Sequence, residues 1–137
     1  MTKVVKTVDA ALIFGNAWLV LIERAKPPFA DKLVLPGGHV EKGEEFLEAV
    51  AREIKEEVGL DLRTDRFHFL TTLANPNRDP RGSYVSTVFA ASISDKELKE
   101  LRSGSDAKTI HLVPLKEIRP EMIGFDHFEA IEILKKR

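Results

Sequence analysis

A chain of 137 residues, 43% hydrophobic and 31% charged, is long enough to bury one proper core and has the make-up of a soluble globular domain. A net charge of −1 argues against a nucleic-acid binder, which would carry a basic stripe, and the lack of cysteine excludes disulfides, a thiol nucleophile and thiolate metal sites. No window approaches the roughly 18 apolar residues of a membrane span. The alternating start, MTKVVKTVDAALIF, is interrupted by Asp9 and is not a secretory signal. The expectation is therefore a single domain over residues 1–137, located in the cytoplasm, with neither nucleic acid nor membrane as partner.

Taken in order, Val4 to Phe14 is rich in β-branched and apolar residues and reads as a strand. Gly15-Asn16 is a hairpin signal, and Ala17 to Glu23 is the return strand. Arg24 to Asp31, with Pro27-Pro28, is a loop, and Lys32 to Leu35 is a short extended piece ending at Pro36. A glycine-bearing loop follows, with Gly37, Gly38 and Gly43, and then a helix over about Glu45 to Val58. Arg66 to Ala74 is strand, Asn75 to Gly82 is loop, and Tyr84 to Ile93 is strand. Asp95 to Arg102 is a short helix capped by Ser94 or Asp95. Ser103 to Ala107 is loop and Lys108 to Val113 is strand. Phe125 to Lys136 is a terminal helix capped by Asp126, with Phe128, Ile131 and Leu134 along one face. Mixed elements of this kind favour a mixed α/β sheet with helices on its faces over a doubly wound parallel sheet. No linker, internal repeat or low-complexity segment divides the chain.

The chemistry concentrates in Gly38 to Leu60, GHVEKGEEFLEAVAREIKEEVGL. Glu53, Glu56 and Glu57 are spaced so that a helix brings them to one face. At 100° per residue, with Glu53 as zero, Glu56 falls near ~300° and Glu57 near ~40°. Leu47, Val50, Ile54 and Val58 form an apolar arc that faces a core. Ala49 falls among the carboxylates, where a small residue leaves room for a ligand. Gly59 is a natural stop. Like charges on one face repel, so an isolated helix gains nothing from them, whereas a hard divalent cation takes oxygen ligands. Arg52 stands beside Glu53 and can orient it with a forked hydrogen bond. The bland alternative is a solvated charged helix.

The whole stretch resembles the Nudix box, which is Gly, five residues, Glu, seven residues, Arg-Glu-aliphatic, one residue, Glu-Glu, one residue, Gly-aliphatic. Gly38, Glu44, Arg52, Glu53, Ile54, Glu56, Glu57, Gly59 and Leu60 fill every specified position. Chance alone should produce such a match in fewer than about one sequence in a million. The resemblance implies an α/β/α sandwich with a mixed sheet and the box as loop–helix–loop. It implies hydrolysis of a nucleoside diphosphate linked to another moiety, using Mg2+ or Mn2+. Under it, Glu53, Glu56 and Glu57 are catalytic metal ligands that converge on one cation, and the Gly38 carbonyl is a further ligand. Glu53 orients or deprotonates the attacking water, while Arg52 and Glu44 brace the helix and loop. In some members the base lies on a distant loop. Many members pair as homodimers.

Two weaker segments resemble the subset of the family active on ADP-ribose. They are Asp79-Pro80-Arg81-Gly82 with Val85-Ser86, and Phe125-Asp126-His127. They point to ADP-ribose as the nucleotide substrate. The rival substrate is a nucleoside triphosphate, and the rival class is a catalytically silent nucleotide-sugar sensor. Such sensors carry a DNA-binding domain or a degraded box. Here the box is complete and the short stretch after Phe125 holds no winged helix. Arg81 is a candidate phosphate or ribose ligand, weighed evenly against a solvated loop arginine. His39 is a candidate phosphate neighbour against simple exposure. His127 is read as structural before substrate contact, and Asp106 as a turn residue before a water-directing carboxylate. Trp18, Phe29 and Tyr84 can stack on a base, but core positions rank first.

Overall fold

The computed structural model describes residues 3–104 and 109–137, so Asp106 lies outside the described residues. The first two strands, β1 (Val4–Phe14) and β2 (Trp18–Glu23), form the expected hairpin. Gly15 and Asn16 take left-handed φ of 59° and 58°, and the Ala17 N–H donates to the Phe14 carbonyl at 3.2 Å. This is the twist that a tight hairpin requires. After β3 (Leu33–Val34) comes a departure from expectation. Gly37–His39 is not loop but a strand, β4, pairing antiparallel to β1 with Thr7 opposite His39 and Asp9 opposite Gly37. Two glycines without side chains can lie flat against β1, and a side chain at Gly37 would run into Asp9 and the Val8 carbonyl.

The remaining strands are β5 (His68–Leu73), β6 (Ser83–Ile93) and β7 (Thr109–Pro114). They complete a sheet ordered β3-β2-β1-β6-β5, with β4 on β1 and β7 on β2. The β1–β6 pair is parallel along the full length of both strands, and the other pairs are antiparallel. The sheet is therefore mixed, as expected.

Strand alternation sorts the core onto two faces. Val8, Ala10, Leu12, Val20, Ile22, Phe89 and Ala91 pack with Val50, Ile54 and Val58 of α1 (Phe46–Val58). Ala11, Leu19, Leu21, Val88 and Ala90 pack on the opposite side with Ala130, Ile131 and Leu134 of α3 (His127–Lys135). Among the described residues no helix is long and apolar enough to cross a membrane.

Helix α1 keeps its apolar arc with two corrections. Leu47 is 39% exposed, because Ala49 and Val50 fill the core beneath the first turn. Ala49 is fully buried in that core rather than lining a ligand site, and its small side chain lets the helix seat closely on the sheet. The stop is as read: Gly59 takes a φ of 78° and its N–H donates to the Lys55 carbonyl at 3.1 Å. Trp18 and Phe29, ranked first as core, are 40% and 39% exposed, since Trp18 opens β2 at the hairpin end and Phe29 sits in the proline loop.

Between β6 and β7, α2 (Asp95–Glu100) is capped by Ser94, whose Oγ accepts the Glu97 N–H at 3.2 Å. Glu97 in turn takes a forked pair from Arg66 at 2.8 and 2.9 Å. That hydrogen-bonded pair holds the Glu97 carboxyl down at about 2. A depressed carboxyl stabilises the fold above its unfolded value of 4.5, and the contribution fades as pH falls toward 2. Glu97→Gln should therefore cost about 1 kcal/mol at neutral pH, limited by solvent screening, and flatten the acid side of the stability profile. Urea melts from pH 7 to 2.5 check this; parallel profiles for the two proteins would contradict it.

Candidate active site

The box loop and helix are stapled by one side chain. Arg52 donates Nε and Nη2 to the two Glu44 carboxylate oxygens at 2.8 and 3.0 Å, and Nη2 also reaches the His39 carbonyl at 2.9 Å. Its Nη1 donates to Glu53 Oε1 at 2.9 Å and more weakly to Glu56 at 3.3 and 3.4 Å. One planar guanidinium thus ties the loop, the end of β4 and two carboxylates of α1 together. The cost of crowding acids is met by this cation. The Arg52 hydrogen bond, with help from the Glu41 N–H, holds the Glu44 carboxyl at about 2. The Arg52 guanidinium is itself pushed up, chiefly by Glu44.

Glu53 differs from its neighbours. Its side chain is 13% exposed. Burial pushes its carboxyl above the ordinary value, Glu56 and Glu57 push the same way, and Arg52 opposes them. Its carboxylate lies over Gly38, where any side chain would run into it. The glycine that opens the motif is thereby explained: it is the space Glu53 occupies. Gly38→Ala should cost about 1–3 kcal/mol by overpacking, read as a drop in thermal midpoint. An unchanged midpoint would contradict the placement of Glu53.

Glu53 and Glu57 border a cleft of about 630 Å³, a volume suited to a nucleotide-sized ligand. Glu56 does not border it; its side chain is 58% exposed and is drawn toward Arg52. As the side chains stand, no group of three acidic or histidine residues among the described residues is gathered closely enough to hold a metal ion. Like charges on one helix face keep apart, and Arg52 draws the exposed Glu56 away from the cleft that Glu53 and Glu57 border. The donor set still suits a hard divalent cation. It is all oxygen, Glu53 and Glu57 open on one cleft, the Gly38 backbone lies against Glu53, and the exposure of Glu56 leaves its rotation unhindered.

Arginines and aromatic rings also line the cleft. Arg81 is held by a forked pair to Asp79 at 3.0 and 2.7 Å, and lies 5.2 Å from the Tyr84 ring centre. It remains 46% exposed, so it is neither a free loop arginine nor a sequestered one. Burial pushes the Asp79 carboxyl up, but Arg81 prevails and holds it below the usual range. Arg24 lies 5.1 Å from the Phe125 ring centre and donates to the Pro28 carbonyl at 2.7 Å. Burial and the nearby Arg81 charge lower its proton affinity. Phe125 reaches this position with a left-handed φ of 52°, strained for an aromatic residue. His39 borders the cleft with its ring 6.2 Å from Tyr84.

Asp126 holds the N-cap position of α3, which begins at His127, as expected, but it does not cap through its side chain. Its carboxylate makes no cap hydrogen bond because Arg78 and Asn75 take it. His127 is buried, and its Nδ1 accepts the Leu35 N–H at 3.1 Å. It lines the cleft floor with Asp9. Ser86 belongs to the Val85-Ser86 segment picked out in the sequence, whereas Arg24, Arg78 and Asp9 were not assigned to a site. Of these three, only Asp9 gave a signal, as a charge inside an otherwise apolar strand.

A mixed sheet between helices, with two carboxylates of α1 bordering a cleft that arginines also line, defines the class of fold. The chain belongs to the NUDIX domain family, whose model matches residues 5–134. It is 40% identical over 114 residues to an ADP-ribose pyrophosphatase of Methanocaldococcus jannaschii, covering 83% of this chain and 63% of that protein. It is 27% identical over 131 residues to the ADPR responsive transcriptional repressor NtrR of Acinetobacter baylyi, covering 92% of this chain and 51% of that protein. The chain thus spans less than two thirds of the length of these curated relatives. A MutT/nudix family protein from Enterococcus faecalis superposes with a TM-score of 0.85 at 28% identity, covering all of this chain and 62% of that one.

Proposed function

We propose that the chain is a divalent-metal-dependent pyrophosphatase that cleaves a nucleoside diphosphate linked to another moiety, with ADP-ribose as substrate and AMP and ribose 5-phosphate as products. The observation that carries this is Glu53: a largely buried carboxylate, raised in proton affinity, beside Glu57 on a cleft that Arg24, Arg78 and Arg81 also line. The similarity to an ADP-ribose pyrophosphatase supports the choice of substrate.

Glu53, Glu57 and Glu56, with the Gly38 carbonyl, would hold Mg2+ or Mn2+. When bound, the ion supplies positive charge that offsets the diphosphate. Arg81 and Arg24, on the same cleft, steady the phosphate oxygens, and Arg81 is kept in place by Asp79. Water adds to one phosphorus, the bridging phosphorus–oxygen bond breaks, and Glu53 takes the water proton. A carboxylate with raised proton affinity is better matched to that task at neutral pH. Arg52 keeps Glu53 aimed at the cleft. Tyr84 and Phe125 offer faces on which a base can stack, and His39 flanks the phosphates.

The repressor relative keeps a sensor reading in view, but three carboxylates intact at the box positions favour turnover. A purified-protein assay with Mg2+ and with Mn2+ compares ADP-ribose with a panel of nucleoside triphosphates, oxidised ones included. The expected result is the highest kcat/KM on ADP-ribose, abolished by chelation. A triphosphate turned over far faster would overturn the substrate, and tight ADP-ribose binding without turnover would favour a sensor.

A further inference from the structure

The cleft holds a buried acid that the proposed chemistry does not use. Asp9, on β1, is 8% exposed and lines the cleft floor. Its Oδ2 accepts a hydrogen bond from Ser86 Oγ, and His127 Nε2 stands 3.5 Å from the same oxygen. Because His127 Nδ1 accepts the Leu35 N–H, the ring proton sits on Nε2 and faces Asp9. The carboxylate is thus fixed from two sides, by β6 and by α3. Oδ1 points at Gly37 and accepts no hydrogen bond among the described residues. No fully buried side-chain nitrogen or oxygen among the described residues lacks a partner, so Oδ1 keeps a face on the cleft, where a group that can only accept calls for a donor from solvent or ligand.

β4 sets this acid in relation to Glu53. Successive strand residues face opposite sides. A side chain at Gly37 would strike Asp9, and one at Gly38 would strike Glu53. Two bare glycines therefore form a partition with a carboxylate on each face, and both carboxylates border the same cleft. A phosphate set against Asp9 would be repelled. The part of the ligand that meets Asp9 is therefore not a phosphate, and it brings a hydrogen-bond donor.

We propose that Asp9, aligned by Ser86 and His127, is a specificity-determining residue that accepts a hydrogen bond from a sugar hydroxyl of the substrate. This rests on the ADP-ribose reading above. A hydrogen bond from an exocyclic amine of the base is the competing source of the same chemistry.

The test compares wild type and Asp9→Asn on ADP-ribose, on analogues lacking single ribose hydroxyls, and on the hypoxanthine analogue that lacks the amine. Wild type should lose about tenfold or more in kcat/KM, through KM, on one deoxy analogue. Asp9→Asn should lose a similar factor on ADP-ribose and nothing further on that analogue, with kcat nearly kept. Should Asp9→Asn fold poorly, Ser86→Ala, which loosens Oδ2, should show the same pattern to a smaller degree. Equal losses on every substrate, or no loss, would overturn the inference while leaving ADP-ribose turnover by wild type intact. A loss that follows the amine would overturn the sugar assignment. Wild type that neither binds nor cleaves ADP-ribose would remove the functional reading and the inference together.

Discussion

Exchanging Glu53 for Gln is expected to lower kcat by about 10³-fold or more while leaving the fold intact or slightly firmer. The activity loss combines a missing proton acceptor, worth about 10²–10⁴-fold, with a missing ligand charge. The stability sign follows from the raised carboxyl. A carboxyl whose folded value lies above its unfolded one supports the fold when protonated, and that support is lost as pH rises through the folded value. At neutral pH the native Glu53 is therefore a strain on the fold, and the neutral amide relieves it. Activity is traded for stability at this position. Steady-state kinetics and thermal melts on the same preparation check both halves. A Glu53→Gln protein with near-native kcat, or one several degrees less stable, would contradict the role. Glu57→Gln and Glu56→Gln should also cut activity by orders of magnitude, because Gln keeps the shape and removes the charge.

Arg78→Ala is expected to destabilise the protein by about 3–5 kcal/mol, the cost of leaving a buried charge without its partner. Arg78 Nε and Nη2 fork onto Asp126 at 3.0 and 2.7 Å, and the two side chains are 5% and 13% exposed. Asn75 adds a bond to Asp126 at 2.9 Å and one to Glu129 at 2.8 Å. Burial pushes the Asp126 carboxyl up, yet Arg78 and Asn75 hold it below the usual range. The pair pins the loop that carries Asp79 and Arg81 to the start of α3, where Phe125 and His127 flank Asp126. Removing both partners together, as Arg78→Met with Asp126→Asn, should cost less than Arg78→Ala alone. Denaturant melts of the three proteins measure this. A loss below about 1 kcal/mol for Arg78→Ala would show that solvent reaches the pair.

The fold was legible where pattern and punctuation agree. The strand Val4–Phe14, the Gly15-Asn16 turn, the Gly59 stop and the Ser94 cap all follow from local chemistry that does not depend on partners. β4 was not legible, because Gly-Gly signals freedom rather than pairing, and only β1 alongside makes it a strand. Asp126 takes the N-cap position of α3 but its side chain is drawn elsewhere, for a related reason. A good N-cap residue was claimed by an arginine 48 positions away in sequence, and nothing in the local sequence announces Arg78. Trp18 and Phe29 stand partly in solvent because strand ends and loops can expose aromatics that propensity places in a core. In the candidate site, the box located the carboxylates and Arg52, since their spacing is itself the geometry. The rest of the cleft was mostly hidden, because Arg24, Arg78 and Asp9 come from three separate segments that only the sheet brings together.

The central claim is that α1 carries a divalent-cation site on the cleft. Titration of the purified protein with Mn2+, followed by calorimetry and by electron paramagnetic resonance, tests it without reference to substrate. Wild type should bind Mn2+, Mg2+ should compete, and the Glu53→Gln/Glu57→Gln protein should lose binding while its circular dichroism is unchanged. Undiminished Mn2+ binding in that folded double variant, or none in wild type, would contradict the account.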